Sequence, residues 1–117
     1  MSLTEELKGL GVDVDEGMDR VMGDSSLYEM MLGMFIDAVE SNPISLDEFD
    51  SGNLDKLIER IHMLKGVTGN LALTPIFKSY TQSLVFLRAG QAKEAKAEFE
   101  QILPVQEKII DCIKQHK

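Results

Sequence analysis

The chain has 117 residues, 44% of them hydrophobic, and a formal net charge of −8. This length predicts one domain over residues 1–117 with a single core, and the negative charge argues against binding to nucleic acid phosphates. No run approaches the roughly 18 apolar residues of a membrane span, so we expect no membrane insertion.

The predicted elements are all helical. A short first helix is expected from about residue 15 to residue 22, with Asp13 as its N-cap and Glu16 three residues later. After a break at Gly23-Asp24, Ser26-Leu27-Tyr28-Glu29 matches a capping box and predicts the start of a longer second helix. Its expected buried stripe follows i, i+3, i+4 spacing and comprises Leu27, Met30, Met31, Met34, Phe35, Ala38 and Val39.

The third predicted helix carries the most informative part of the sequence. Ser41-Asn42-Pro43 should interrupt the second helix, and residues 44–49 either continue it beyond a kink or form a separate turn. Asn53 is then the predicted N-cap of a third helix over about residues 54–69. With Ile61 at the centre of its buried face, His62 falls about 100° away, at the edge of the apolar stripe. The stripe itself comprises Leu54, Leu57, Ile58, Ile61, Leu64 and Thr68.

Two further helices complete the expected fold. Thr74-Pro75 predicts the start of the fourth helix, with threonine as cap and proline in the first turn, and Gly90 predicts its end. Its expected buried residues are Ile76, Phe77, Tyr80, Leu84 and Leu87. A last helix over about residues 91–114 should be kinked or split at Pro104. Its expected inward residues are Ala92, Ala95, Phe99, Ile102, Leu103, Ile109, Ile110 and Ile113.

Short connections between long amphipathic helices predict antiparallel neighbours. The predicted fold class is therefore all-α, an up-and-down antiparallel four-helix bundle with an additional short N-terminal helix.

Charge is distributed unevenly along the chain. Residues 1–50 have a local net charge of −11, whereas residues 51–117 have a local net charge of +3. No acidic residue lies between Glu59 and Glu94, a segment that contains His62 and five basic residues. This pattern predicts an acidic partner for the face that carries His62. The alternative is chance clustering in a small acidic protein.

Several kinds of chemistry are excluded because the chain lacks the motifs that they require. Two distant histidines and the single Cys112 do not make a structural zinc site, and Glu59-x-x-His62 lacks the second such pair that a di-iron bundle needs. His116 lies next to the C-terminus, where fraying is expected. The chain has no G-x-S-x-G elbow and no glycine-rich phosphate loop. We therefore predict no bound metal and no kinase activity of its own.

His62 remains as an acceptor of a phosphoryl group. An imidazole with a pKa of about 6.5 is neutral and nucleophilic near pH 7, and Lys65 one turn later offers a charge to the transferred oxygens. Gly66 and Gly69 leave room for an incoming active site, and Met63 with Val67, unless neighbouring segments cover them, is expected to form an apolar docking patch. The alternative is a surface histidine beside an ordinary lysine, with glycines at a fraying helix end.

The motif His62-Met63-Leu64-Lys65-Gly66-x-x-Gly69-Asn70 closely resembles the H-x-x-K-G-x-x-G signature of histidine-containing phosphotransfer (HPt) domains. The resemblance extends to a lead-in at residues 11–17, followed by Gly23-Asp24 and a long helix. It implies a four-helix bundle with His62 as phosphoacceptor, Lys65 as charge partner, and Gly66 and Gly69 as clearance positions.

The resemblance also implies partners and cofactors. It implies transfer of a phosphoryl group between the aspartates of receiver domains, in response regulators or hybrid histidine kinases, within a two-component phosphorelay. Mg²⁺ is then bound by the partner receiver, and no cofactor is bound by this chain. Because the single cysteine and the polar N-terminal residues fit a reducing compartment, we expect a cytoplasmic monomer.

One departure from the family pattern concerns the next helix. Many members carry a polar or acidic residue there, close to the histidine, whereas this chain offers Lys78, Ser79, Gln82 and Ser83. Gln82 is the candidate for a hydrogen-bonding role. Two other functions stay open at this point: a non-catalytic bundle that binds a receiver or kinase, and the phosphorylatable domain of a chemotaxis-type kinase.

Overall fold

The computed structural model describes residues 2–116, which form six α-helices, one 3₁₀ helix and no β-strand. The all-α fold class is therefore confirmed. The elements are α1 (Leu3–Gly9), α2 (Val14–Arg20), α3 (Ser25–Ser41), the 3₁₀ helix (Leu46–Asp50), α4 (Asp55–Asn70), α5 (Thr74–Arg88) and α6 (Ala92–Gln115). No helix in this part of the chain combines the length and the apolar character needed to cross a membrane.

The three C-terminal helices form the main packing unit, in which α5 packs against both α4 and α6. The turns between them are short, and Gly90 ends α5 with a left-handed φ of +76°. Helix α3 lies against α4 and α6, the 3₁₀ helix lies on α6, and α1 also contacts α6. The largest fully buried side chains include Tyr28, Phe35, Phe49, Ile61, Leu64, Ile76, Tyr80 and Phe99.

Helix α4 follows the sequence prediction closely. Its fully buried residues are Leu57, Ile61, Leu64 and Thr68, and Leu54 and Ile58 pack against the core at its edge. The predicted N-cap was Asn53, but the N-cap of α4 is Leu54. The Asn53 carboxamide oxygen accepts a hydrogen bond from the Asp55 backbone N–H at 3.1 Å, just before the helix. The rotation of α4 about its axis is therefore set by this apolar stripe.

Helix α3 corrects two predictions. Its N-cap is Asp24, whose carboxylate accepts a hydrogen bond from the Leu27 N–H at 3.1 Å, rather than Ser26. Met30 and Met34 are 58% and 59% exposed, so much of the predicted buried stripe faces outward. The residues that α3 buries are Tyr28, Leu32, Phe35 and Ile36.

Tyr28 explains this rotation of α3. Its side chain is 1% exposed, and its hydroxyl donates a hydrogen bond to the Leu71 carbonyl at 3.1 Å. Burial, together with the Asp13 carboxylate, raises the pKa of Tyr28 to about 12, so the hydroxyl stays protonated and remains a donor. Burying this aromatic ring with its hydrogen bond outweighs the burial of flexible methionines.

The N-terminal region contains two short helices where one was predicted. Asp13 caps α2 as expected, because its carboxylate accepts a hydrogen bond from the Glu16 N–H at 3.2 Å. The preceding α1 was missed, although Ser2 caps it in the same way through the Glu5 N–H at 3.2 Å. The Ser-x-x-Glu pattern at Ser2 was therefore a usable signal for a helix start.

One expectation for α5 was also wrong, and one of the two alternatives for α6 is excluded. Thr74 is the first residue of α5, and its hydroxyl donates to the Ala72 carbonyl at 3.2 Å instead of capping the helix. Helix α6 is not split, because it runs continuously through Pro104. It also buries two polar or weakly polar residues that the apolar pattern omitted, Gln106 and Cys112.

Candidate functional site

His62 is exposed on α4, next to two residues that hold the helix in place. Ile61 is fully buried and Leu64 is 1% exposed, so the His62 side chain must point outward from the core. Lys65, one turn later, is half-buried. The Thr68 hydroxyl donates to the Leu64 carbonyl at 2.8 Å, which satisfies a polar group inside the buried stripe. The core thus positions His62 and Lys65 together on the outer side of α4.

A surface pocket of about 470 Å³ lies beside His62. Three parts of the chain line it: the His62 side of α4, the helix α2, and the α4–α5 turn with the start of α5. Its lining residues are Glu16, Arg20, His62, Lys65, Gly66, Gly69, Asn70, Ala72, Thr74, Phe77 and Lys78. Most of the predicted motif therefore borders one pocket.

The two glycines of the motif differ in their surroundings. A Cβ atom built on Gly66 would meet no heavy atom within 4 Å, so the space above Gly66 is open. A Cβ atom on Gly69 would lie 2.9 Å and 3.0 Å from two ring carbons of Phe77. Gly66 fits the predicted clearance role directly, whereas Gly69 also allows α5 to pack closely against α4.

Helix α2 contributes residues that the sequence analysis did not assign to the site. The Asp13 N–H donates to the Ala72 carbonyl at 3.0 Å, which ties the start of α2 to the α4–α5 turn. A Cβ atom at Gly17 would lie 2.6 Å from the Tyr28 ring and 3.0 Å from the Leu71 carbonyl oxygen, so glycine permits this close approach. The result is that Arg20 reaches the pocket.

No local signal in the sequence identifies Arg20 as a site residue. It lies 42 positions before His62 in an otherwise acidic segment, and only the packing of α2 brings the two to one pocket.

The charges at the pocket differ from those of the linear segment. Arg60 belongs to the acid-free segment, but its guanidinium pairs with Glu48 and donates to the Pro43 carbonyl, so its charge is already compensated. Hydrogen bonding to Arg60 holds the pKa of Glu48 below its usual value. Arg20 pairs with Glu16 at 2.8 Å at the pocket itself. The segment between Glu59 and Glu94 contains no acidic residue, but the pocket beside His62 includes the carboxylate of Glu16 from α2.

Lys65 and Lys78 are the remaining basic residues of the pocket. Within residues 2–116, neither lysine forms an ion pair. Both ammonium groups are therefore available to an anion that approaches His62.

The structure separates the other predicted docking residues. Met63 and Val67 are half-buried and pack against the core, so only part of each side chain is available to a partner. Gln82 is exposed on α5, one turn beyond Lys78, and lies outside the set of residues that line the pocket. On α5, the structure brings Phe77 and Lys78 to His62 instead.

His116, at the end of α6, contacts the N-terminal helix α1. Its Nε2 atom lies 2.6 Å from a carboxylate oxygen of Glu6 in α1. Together with Cys112, these residues form the one group in the described part of the chain whose atoms could hold a metal ion, and His62 does not belong to it.

Comparisons with protein-family models, curated proteins and solved structures find no match for this chain. The functional argument therefore depends on the pocket and on the motif that borders it.

Proposed function

We propose that this chain is a histidine phosphotransfer domain that accepts a phosphoryl group from a receiver phospho-aspartate on His62 and passes it to a second receiver. One observation carries the proposal. An exposed imidazole borders an open pocket, beside two lysines that form no ion pair within residues 2–116, and Gly66 has no side chain to block an approaching protein.

The transfer step uses the unprotonated Nε2 atom of His62 as nucleophile. Its lone pair attacks the phosphorus while the bond between phosphorus and the aspartate oxygen breaks, and the aspartate leaves as a carboxylate. The new bond joins phosphorus to Nε2, and the proton on Nδ1 stays in place. Because an imidazole is largely neutral near pH 7, no base is needed to activate it. The second transfer reverses these steps on another receiver.

The chain's contribution to catalysis is position and charge. Phosphoryl transfer has little covalent chemistry for a protein to assist, so oriented groups and compensating cations dominate. Lys65 is placed one helical turn from His62, and Lys78 faces the same pocket from α5. Arg20 borders the pocket as well, where its charge is partly compensated by its ion pair with Glu16. The Mg²⁺ ion belongs to the receiver.

We infer that α3 to α6 form the up-and-down four-helix bundle typical of this family, with α1 and α2 preceding it. The short α4–α5 and α5–α6 connections and the packing of α3 on α4 and α6 support this arrangement. We also propose that the protein acts as a cytoplasmic monomer, since a receiver needs free access to the His62 pocket.

The decisive experiment compares the two histidines of the chain. Receiver domains are phosphorylated with a small-molecule phosphodonor and mixed with wild-type protein, His62→Gln or His116→Gln. Acid-labile phosphate on the chain is measured by mass spectrometry and by phosphate-affinity electrophoresis. We expect His62→Gln to abolish labelling, with helicity and melting temperature nearly unchanged because His62 is exposed. The matched control His116→Gln should be labelled like the wild type.

Labelling of His62→Gln would contradict the assignment of the acceptor. If no receiver labels the wild type, but a receiver binds it with measurable affinity, the non-catalytic interaction module becomes the better explanation. Labelling by an ATP-bound catalytic domain, without any receiver, would favour the domain of a chemotaxis-type kinase.

A further inference from the structure

A second cluster of reactive side chains lies away from the His62 pocket, between α1 and the end of α6. Glu6 lies in α1 and Cys112 lies in α6, and His116 is the C-cap residue of α6. The distance from the Glu6 carboxylate oxygen is 2.6 Å to His116 Nε2 and 3.4 Å to Cys112 Sγ. All three potential ligand atoms lie within 4.8 Å of one another.

These ligand types are those of a zinc site. A thiolate, an imidazole nitrogen and a carboxylate oxygen are the protein ligands that Zn²⁺ prefers, and three of them leave a fourth position for solvent. The mixture of soft and hard donors disfavours Mg²⁺ and Ca²⁺, which take oxygen ligands. Cys112 and His116 are four residues apart, and this spacing places two ligands on one face of a helix.

We propose that Glu6, Cys112 and His116 form a three-ligand site for Zn²⁺ or a similar divalent cation, independent of His62 and of phosphotransfer. This departs from the expectation that the chain binds no metal. That expectation was based on two histidines far apart in sequence and a single cysteine, and nothing in the sequence indicated that α1 brings Glu6 to the end of α6.

The buried Cys112 thiol distinguishes this cluster from ordinary surface acids. Cys112 is 7% exposed, and the side chains of Glu6 and His116 are 34% and 27% exposed. An ion at this site would be bound by the three side chains on one side, and its fourth coordination position would be open to solvent. The site borders a surface pocket that Glu6 and Cys112 line together with Asp111.

Binding requires a small rearrangement of the side chains. Metal–ligand distances of 2.0–2.3 Å in a tetrahedron separate the ligand atoms by about 3.3–3.7 Å. The 2.6 Å Glu6–His116 contact must therefore open by about 0.7 Å, which rotation of these partly exposed side chains allows. Burial and the Glu6 carboxylate raise the pKa of the Cys112 thiol to about 11. A sulfur–metal bond thus forms as the S–H bond breaks and its proton passes to solvent.

The consequence of such a site is a link between the two ends of the domain. A cation bound only by the folded chain would join α1 to α6 and raise the melting temperature as its concentration rises. Since α1 is short and contacts mainly α6 and α2, its attachment should respond most strongly.

Calorimetric titration of the chelator-treated, reduced full chain with ZnCl₂ tests the proposal. We expect one Zn²⁺ per chain and a melting temperature that rises with zinc. His116→Asn should weaken binding at least tenfold. Because His116 caps the end of α6, this variant should fold normally without zinc. Cys112→Ser should have the same effect on binding, and His62→Asn is the matched control that should leave affinity unchanged.

Three results with the wild type and these three variants would overturn the site. These are no saturable zinc binding by the wild type, unchanged affinity in both His116→Asn and Cys112→Ser, or loss of binding in His62→Asn. Asp111→Asn tests the pocket beside the cluster. A tenfold loss of zinc affinity in this variant would mean that the three-ligand assignment is wrong.

Discussion

The two glycines of the motif should respond oppositely to the same substitution. Gly66→Ala adds a methyl group where no heavy atom lies within 4 Å. Gly69→Ala adds a methyl group 2.9 Å from the Phe77 ring. Both positions are in α4, so the intrinsic benefit of alanine over glycine in a helix applies to both. Only the tertiary contact distinguishes them.

The magnitudes follow from this geometry. Alanine in place of glycine in a helix interior stabilises by about 0.5–1 kcal/mol, and this is the whole effect expected at Gly66. At Gly69 that gain is opposed by overpacking against Phe77, which costs about 1–3 kcal/mol. The free energy of unfolding should thus be about 1–3 kcal/mol lower for Gly69→Ala than for Gly66→Ala. For a domain of this size, 1 kcal/mol corresponds to about 4 °C in melting temperature.

Denaturant unfolding followed by circular dichroism measures this difference. The double variant Gly69→Ala/Phe77→Ala supplies the control, because removing the ring should remove the penalty and leave a coupling energy of about 1–3 kcal/mol between the two positions. Equal stabilities of the two single alanine variants, or no coupling to Phe77, would refute the assignment of Gly69 to the α4–α5 contact.

A larger substitution at Gly66 separates stability from docking. Gly66→Leu should reduce receiver binding and phosphoryl transfer by about tenfold or more, because the side chain would occupy the surface beside His62, while the melting temperature is not lowered. Gly52→Leu places the same side chain in open space outside the pocket and serves as the control. Unchanged transfer by Gly66→Leu would count against the clearance role.

Two further predictions concern buried and partly buried polar pairs. The Tyr80 hydroxyl donates to the Gln106 amide oxygen at 2.6 Å inside the core. Tyr80→Phe should lower the free energy of unfolding by about 1–3 kcal/mol, because it leaves a buried acceptor unpaired. Adding Gln106→Leu should restore much of the loss, and no recovery would contradict this explanation. Hydrogen bonding to Arg60 lowers the pKa of Glu48. The Glu48–Arg60 pair therefore stabilises the folded protein above about pH 4.5, and this contribution is lost as the pH falls through the lowered pKa. Glu48→Gln should therefore lower the free energy of unfolding by up to about 1 kcal/mol at pH 7, and it should have no effect at low pH. Denaturant titrations at pH 7 and pH 2.5 measure this difference. An equal loss at both pH values would disprove the ion-pair explanation.

Helix positions were predictable wherever one apolar stripe dominated. In α4, five of the predicted positions around Ile61 face the core, so the exposed placement of His62 followed from the sequence alone. In α3 two apolar stripes compete, one with Met30 and Met34 and one with Tyr28 and Leu32. Periodicity does not choose between two such stripes, because each satisfies the 3.6-residue repeat. The Tyr28 hydrogen bond to the Leu71 carbonyl made that choice.

The sequence by itself determined the all-α class, the break before α4, and the shared face of His62, Lys65 and Gly66. These features depend on helical periodicity and local capping, which act over a few residues. Only the tertiary structure decided that Arg20 borders the same pocket, and that Gly69 accommodates Phe77. Such contacts join segments far apart in the chain, and they arise from close packing between helices, for which a single sequence carries no periodic signal. The sequence around His62 was therefore enough to identify the histidine as a candidate. The pocket beside it could be identified only from the helices that pack around it.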